Sequence, residues 1–157
     1  MSMNFFKTYF NATHPLGVGA LVLIFVIDRL TKSLAMAAVS DKIVVVIPDV
    51  LQFELVYNKN IIGLLALPRV AIVAIVITFL SVLVWSAWVS YRDGRVQELF
   101  GFLLMMFGAL SNVFDRLVFG GVIDFINVAS RSIFNIADVM IVLGALIAVL
   151  AQSQKER

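Results

Sequence analysis

The chain has 157 residues, of which 62% are hydrophobic and only 14% are charged, and its mean hydropathy is +1.03. Water-soluble domains carry about 25% charged residues, so this composition excludes a water-soluble globular domain and indicates an integral membrane protein. Domains typically run to about 100–200 residues, and we therefore expect a single membrane-embedded domain over 1–157.

The charged residues and the missing cysteines exclude several functional classes. Twelve Lys and Arg against ten Asp and Glu give a net charge of only +2, and without a basic cluster a nucleic-acid partner is not expected. The absence of cysteine removes disulfides, thiolate nucleophiles and Cys-ligated metals. His14 is the single histidine, so we predict no metal site, no Ser/His relay and no cofactor.

Four segments are long and apolar enough for membrane-spanning helices, which need about 20 mainly apolar residues. They lie at about 16–39, 70–91, 96–114 and 137–154. The predicted fold class is therefore an integral membrane, mainly α protein with four transmembrane helices. Four spans place both termini on one side of the membrane. Lys and Arg are shared evenly between the two faces, so counting them does not decide the orientation. The short Arg-Asp-Gly-Arg turn at 92–95 and the Lys-Glu-Arg tail at 155–157 weakly favour cytoplasmic termini.

The connection between the first and second spans predicts a small β element at about 42–60. Segments 42–47 and 50–57 are rich in β-branched and aromatic residues, and Pro48-Asp49 divides them. This pattern is typical of a hairpin. We expect the hairpin to lie at the membrane surface, on the face opposite the tight polar turn at 92–95.

Charged residues in the first span form the first polar cluster. An ionisable side chain at the centre of a span costs about 2.5–3.5 kcal/mol on insertion scales, and so marks a functional or pairing site. Asp28 and Lys32 stand one helical turn apart with the acid first, which is the better orientation for an ion pair. The favoured interpretation is a self-neutralised pair that lets the helix end reach the interface, with direct catalysis as the alternative.

A second cluster lies at the end of the third span. Gly108, Asn112 and Arg116 recur every four residues, so one helix face presents a gap for close helix approach, an amide and a guanidinium. Taken by itself, Arg116 fits an arginine near the membrane interface whose charged end extends into water. Asn112 in the same stripe favours a polar network.

Two aspartates form the third cluster. Asp124 lies in an apolar, β-like run at 121–126, where an unpaired carboxylate is costly. Asp138 stands at the mouth of the fourth span, where Asn135 is a candidate N-cap and the helix dipole would keep the carboxylate ionised. If the connecting loop brings the two acids together, they share a proton and titrate as a unit. Such a dyad can activate water with one acid and protonate the substrate with the other.

Taken in order, five motifs in this chain resemble those of the bacterial lipoprotein signal peptidase (signal peptidase II) family. The resemblance covers nearly the whole chain, including its length and four-span layout. The motifs are Asp-Arg-Leu-Thr-Lys at 28–32, Tyr-Asn at 57–58, Gly-Ala-Leu-Ser-Asn-Val-Phe-Asp-Arg at 108–116, Gly-Val-Ile-Asp-Phe-Ile at 121–126 and Phe-Asn-Ile-Ala-Asp at 134–138.

The resemblance implies an aspartyl endopeptidase of the bacterial inner membrane. Its substrate would be a diacylglyceryl-modified prolipoprotein, cleaved before the lipidated cysteine. The catalytic dyad would be Asp124 and Asp138, near the periplasmic face, with both termini in the cytoplasm. The resemblance further implies that Asp28 and Lys32 form a supporting pair. It also implies a set of residues that support the active site or bind substrate and inhibitors, namely Asn58, Gly108, Asn112, Arg116 and Asn135.

The family likeness also implies partners. The β element at 42–60 would be a periplasmic cradle that contacts the substrate, membrane lipid would surround the helices, and globomycin-type inhibitors would occupy the dyad's site. We expect the enzyme to act as a monomer. For the chemistry we predict a single-step attack by dyad-activated water without an acyl-enzyme, with Asp138 ionised and Asp124 protonated.

Two departures from the family pattern bear on specificity. After the cradle asparagine the family usually has glycine two residues on and an aromatic residue further along, whereas 58–63 reads Asn-Lys-Asn-Ile-Ile-Gly. Phe107 and Ser111 stand where glycine is common. Because the dyad motifs are intact, these departures concern substrate preference and inhibitor sensitivity.

Two other functional classes fit the composition. A small transporter or channel component would use Asp28, Lys32, Asp124 and Asp138 as a proton or ion path. A non-catalytic membrane assembly factor would tolerate neutralisation of either dyad aspartate. Composition does not discriminate among these classes, and the ordered motifs favour the peptidase.

Overall fold

The computed structural model describes residues 15–39, 42–59, 69–129 and 131–153. His14, the atypical segment at 60–63 and the last residue of the fourth predicted span lie outside the described residues. The described elements, in chain order, are α1 (Pro15–Ala38), β1 (Val44–Ile47), β2 (Leu51–Asn58), α2 (Arg69–Arg92), α3 (Val96–Phe119), β3 (Val122–Val128), β4 (Ser132–Phe134) and α4 (Ile136–Ser153).

The helices agree with the prediction of a mainly helical membrane protein. In the part of the chain that the structure describes, three helical segments are long and apolar enough to cross a membrane: Val70–Arg92, Val96–Phe119 and Ile136–Ser153. Helix α1 has 24 residues but carries three charged side chains, so its composition does not by itself qualify it as a span. The prediction of four spans is thus supported for three.

Helix α3 continues past the predicted end of its span. The prediction ended the span at 114, before two charged residues, whereas the helix runs to Phe119. Asp115 is fully buried and pairs with cations of α1. Because this partner neutralises the carboxylate, the charge does not end the helix.

Close backbone contact joins α3 to α4. A Cβ atom added at Gly108 would lie 2.5 Å from the carbonyl oxygen of Ala137, and one added at Gly101 would lie 2.6 Å from that of Gly144. Small residues at such crossings let helices approach closely in a membrane. The predicted gap at Gly108 therefore receives the first turn of α4.

The strands form one antiparallel sheet with the order β1-β2-β3-β4. The predicted hairpin is β1 and β2, and Asp49 in its turn has a φ of 59°, a left-handed conformation that aspartate tolerates better than most residues. The β-like run around Asp124 is β3, which pairs with β2 so that Val56 lies opposite Asp124. This pairing brings the end of β2, which lies between α1 and α2, next to the start of β3, which lies between α3 and α4.

Candidate active site

Asp124 lies on β3 and is only 2% exposed. Two asparagines donate hydrogen bonds to its carboxylate: Asn58 Nδ2 to Oδ2 at 3.0 Å, and Asn135 Nδ2 to Oδ1 at 2.6 Å. Asn58 ends strand β2, so the β2–β3 pairing places it here. Buried polar groups need such partners, and this carboxylate has them from two different elements.

Asp138 lies in the first turn of α4, as predicted. Its backbone N–H donates to Asn135 Oδ1 at 3.0 Å, and the backbone N–H of Asn135 donates back to Asp138 Oδ2 at 3.3 Å. This reciprocal arrangement is that of a capping box. Asn112 Nδ2 donates to the other carboxylate oxygen, Oδ1, at 2.8 Å.

One buried side chain therefore connects both aspartates. Asn135 is fully buried, donates through Nδ2 to the Asp124 carboxylate and accepts through Oδ1 from the backbone N–H of Asp138. The structure thus brings together the two carboxylates that lie in different elements of the sequence. The resulting site contains two acids close enough to influence each other's ionisation.

The electrostatic surroundings of Asp124 favour its neutral form. The pKa of Asp124 is raised from its usual 3.8 to about 6. Burial is the largest cause and the nearby charge of Asp138 adds to it, while the hydrogen bonds from Asn58 and Asn135 and the charge of Lys32 oppose the shift. Desolvation disfavours a charged carboxylate in the same way in other buried sites.

The other predicted site residues surround this pair. Arg116 Nη1 donates to the carbonyl oxygen of Asn112 at 3.3 Å, and its charge acts on Asp124 and Asp138. Asn112 Oδ1 accepts from Lys32 Nζ at 2.9 Å and from Asn135 Nδ2 at 3.2 Å. Both acceptor contacts hold the amide so that its NH2 group faces Asp138.

Asp28 and Lys32 form the predicted ion pair, with Nζ 3.1 Å from Asp28 Oδ2. Both side chains are fully buried within the protein. Lys32 makes its shorter ion pair with Asp115 Oδ2, at 2.7 Å. The carboxylate of Asp115 on α3 thus gives Lys32 a second ion pair, which helps to compensate the cost of burying its charge.

Asp115 and Ser111 were not recognised as site residues. Asp115 also accepts from Arg29 Nη1 at 2.6 Å, and the Ser111 hydroxyl donates to Asp28 Oδ2. The spacing of four between these two residues places them on one helix face, and that spacing is the signal that could have found them. Within the described residues, no group of three or more His, Cys, Asp and Glu side chains is placed to hold a metal ion.

Comparison with known proteins decides the family. The model of the family described as Signal peptidase (SPase) II matches residues 20–153. The chain belongs to the signal peptidase II family. This membership confirms the resemblance inferred from the five motifs, and it makes the protein a membrane peptidase.

Relatives of this signal peptidase II cover most of its length. It is 35% identical over 143 residues to a lipoprotein signal peptidase of Chlorobaculum parvum, and the match covers 80% of this chain and 88% of the relative. It is 34% identical over 142 residues to a lipoprotein signal peptidase of Pseudomonas aeruginosa strain UCBPP-PA14, with 82% of both chains covered.

Two solved bacterial membrane enzymes share the fold. One has a TM-score of 0.75 at 24% identity, covering 93% of this chain and 92% of its own. The other has a TM-score of 0.73 at 23% identity, covering 90% and 95%. These structures support the fold of this signal peptidase II.

Proposed function

We propose that this signal peptidase II cleaves diacylglyceryl-modified prolipoproteins before the lipidated cysteine, with Asp124 and Asp138 as its catalytic dyad. The observation that carries the proposal is the position of Asn135, which is buried and donates hydrogen bonds to both carboxylates, from its side chain to Asp124 and from its backbone N–H to Asp138. A pair of acids held in this way can divide proton transfer between them.

The two acids take different roles because their surroundings differ. Asp138 accepts hydrogen bonds from Asn112 Nδ2 and from the Asn135 N–H at a helix N-terminus, both of which stabilise its anion. It is therefore the base that takes a proton from the attacking water. Asp124, whose pKa burial raises to about 6, is the acid.

The reaction then proceeds by direct attack of water. The water oxygen bonds to the scissile carbonyl carbon as its proton passes to Asp138, and Asp124 gives its proton to the carbonyl oxygen. The C–N bond then breaks as Asp138 gives its proton to the leaving amine of the cysteine. Asp124 takes a proton from one hydroxyl of the intermediate, which leaves a carboxylic acid and restores both aspartates. No acyl-enzyme forms. Asn58, Asn112 and Asn135 orient the carboxylates, and the charge of Arg116 moderates their mutual repulsion.

We include α1 as the fourth membrane span. Its outward surface is apolar, with Leu16, Leu23, Leu30 and Leu34 between 57% and 66% exposed. Its charged Asp28 and Lys32 face inward and are fully buried. Inward-facing, paired charges are the form in which spans tolerate ionisable residues.

Four spans place both termini on one side of the bacterial inner membrane, and we assign that side to the cytoplasm. Both termini and the 92–95 turn then lie on the cytoplasmic side, and the sheet and dyad lie near the periplasmic face. The sheet carries Asn58 beside Asp124, so a ligand bound on this cradle reaches the dyad. We assign substrate and globomycin-type inhibitors to that surface, membrane lipid to the exposed helix faces, and a monomeric state to the enzyme.

Cleavage by the purified enzyme in liposomes tests the proposal. Wild type should convert lipidated precursor to the shorter form on a gel, and Asp124→Asn and Asp138→Asn should each be folded and inactive. Glu98→Gln is a matched control, since it removes a buried carboxylate of α3 that pairs with Arg95. Full processing by either aspartate variant would refute the dyad, and ion flux through the same liposomes would favour the transporter alternative.

A further inference from the structure

A group of buried polar side chains lies behind the dyad, on α1 and α3. Asp28, Lys32, Ser111 and Asp115 are each fully buried, and we call them the charge cluster. Arg29 joins it through Asp115 at 2.6 Å. Two acids and two cations balance, which is the condition for keeping charges inside a protein.

Each carboxylate of the charge cluster holds the backbone next to one dyad residue. Asp28 Oδ1 accepts from the N–H of Ala137 at 2.8 Å, and Ala137 immediately precedes Asp138. Asp115 Oδ2 accepts from the N–H of Ile123 at 3.3 Å, and Ile123 immediately precedes Asp124. The two anchors thus act on α4 and β3 separately.

Lys32 connects the two anchors. Its Nζ lies 3.1 Å from Asp28 Oδ2 and 2.7 Å from Asp115 Oδ2, and it also donates to Asn112 Oδ1 at 2.9 Å. An ammonium group has three donors, and these are its three shortest contacts; a fourth, to Ser111 Oγ, is longer at 3.4 Å. The third contact leads to the dyad directly, because Asn112 Nδ2 donates to Asp138.

We propose that Lys32 is a positioning residue that sets the separation and orientation of the two dyad aspartates. It does so through the carboxylates of Asp28 and Asp115, which it holds by ion pairs. Given the dyad of the proposed function, on which this inference rests, Lys32 touches neither substrate nor the reacting atoms. It acts through Ala137, Ile123 and Asn112.

A charge-compensated variant tests this role. Lys32→Met combined with Asp115→Asn removes one charge of each sign, so the cluster stays neutral with Asp28 and Arg29. We expect a folded enzyme whose kcat falls at least about 10-fold while KM changes less than about 3-fold, because small displacements of catalytic groups cost up to about 100-fold in rate.

The pH profile separates positioning from a general loss of stability. Activity requires protonated Asp124, so the alkaline limb of kcat follows the loss of this proton. The positive charge of Lys32 lowers the pKa of Asp124, and Asp138 and Arg116 also act on that carboxyl. Removing Lys32 should therefore move the alkaline limb to higher pH.

A second variant leaves every charge in place. Ser111→Ala removes only the hydroxyl, which donates to Asp28 and accepts from Arg29 at 3.0 Å and from Lys32 at 3.4 Å. We expect kcat to fall by about 3-fold at unchanged KM, because Asp28 loses one contact and keeps those with Lys32 and with the Ala137 N–H. This variant decides the question if the charge-compensated enzyme fails to fold.

Glu98→Gln is the control for burial of charge. Glu98 is 3% exposed and pairs with Arg95 at 2.7 Å, near the start of α3. Glu98→Gln should lower thermal stability and leave kcat and the alkaline limb of the pH profile as in wild type.

Two results would overturn the role of Lys32. One is a wild-type kcat in Ser111→Ala, and the other is a wild-type kcat and alkaline limb in a folded charge-compensated variant. Failure of wild type to cleave, or activity of Asp124→Asn in the same assay, would instead refute the dyad.

Discussion

Gly108 is the place where a single methyl group should disturb the dyad. A Cβ atom there would lie 2.5 Å from the Ala137 carbonyl oxygen and 3.0 Å and 3.1 Å from side-chain atoms of Ile141 and Met140. Carbon–oxygen contacts are normally about 3.3 Å or longer. In Gly108→Ala the first turn of α4 must therefore move away by roughly 0.8 Å, and Asp138 moves with it.

The expected size of the effect follows from this displacement. A misplacement of about 1 Å costs up to about 100-fold in rate, and overpacking a core costs about 1–3 kcal/mol. We therefore expect kcat of Gly108→Ala to fall by between about 10-fold and 100-fold, with a free energy of unfolding lowered by about 1–3 kcal/mol. Cleavage of a lipidated peptide at saturating concentration and thermal unfolding in detergent measure the two quantities.

Two other glycines provide matched controls. Gly101→Ala introduces a comparable clash, 2.6 Å from the Gly144 carbonyl oxygen, at the other end of the α3–α4 contact. It should lower stability as much as Gly108→Ala while reducing kcat far less. Gly19→Ala meets nothing within 4 Å and should change neither quantity. Equal losses of kcat in the variants at 101 and 108, or none at 108, would refute the link between this contact and the position of Asp138.

Three further predictions concern the dyad and the cradle. Asp124→Asn and Asp138→Asn should each reduce kcat by at least about 1,000-fold in a folded protein that accumulates lipidated precursor, since loss of one member of a catalytic pair removes most of the rate. The pKa of Asp124 is raised from 3.8 to about 6 in the folded protein, so its contribution to stability is full below about pH 4 and is lost as the pH rises through about 6. The free energy of unfolding should fall by on the order of 3 kcal/mol over this range. The same fall should be absent from unfolding measurements on Asp124→Asn. Lys59→Ala, an exposed change at the end of the cradle, should alter the globomycin dose–response and leave turnover at saturating substrate unchanged.

The outcomes that contradict these predictions are distinct. Residual activity above about 10% in either asparagine variant would exclude an obligatory dyad role for that residue. A pH dependence of stability that is the same in wild type and Asp124→Asn would mean that another group titrates. An unchanged inhibitor response in Lys59→Ala would count against a cradle role for that residue.

Much of the site follows from local sequence features. Asn135 and Asp138 are three residues apart, and their capping box forms within one turn of helix, so their pairing is predictable from sequence. The stripe of Gly108, Asn112 and Arg116 follows from the helical repeat alone. The hairpin of β1 and β2 follows from β-branched runs around Pro48-Asp49.

Contacts between distant elements were harder to predict. The spacing of Asp28 and Lys32 correctly indicated an ion pair, yet nothing in that spacing shows that Asp115, on another helix, makes the shorter contact with Lys32. The same limit explains why the full burial of the pair within the protein was not predicted. It also explains why α3 was expected to end before its charged residues.

The amino-acid sequence by itself determined the membrane environment, the helical segments, the hairpin and the family, because each depends on composition, periodicity or short ordered motifs. Only the tertiary structure decided that β2 pairs with β3, that α3 packs against α4 at Gly108, and that one buried lysine lies between two carboxylates from different helices. These arrangements depend on how separate elements share a small polar interior, and the free energy of burying a charge is set by partners that lie far away along the chain.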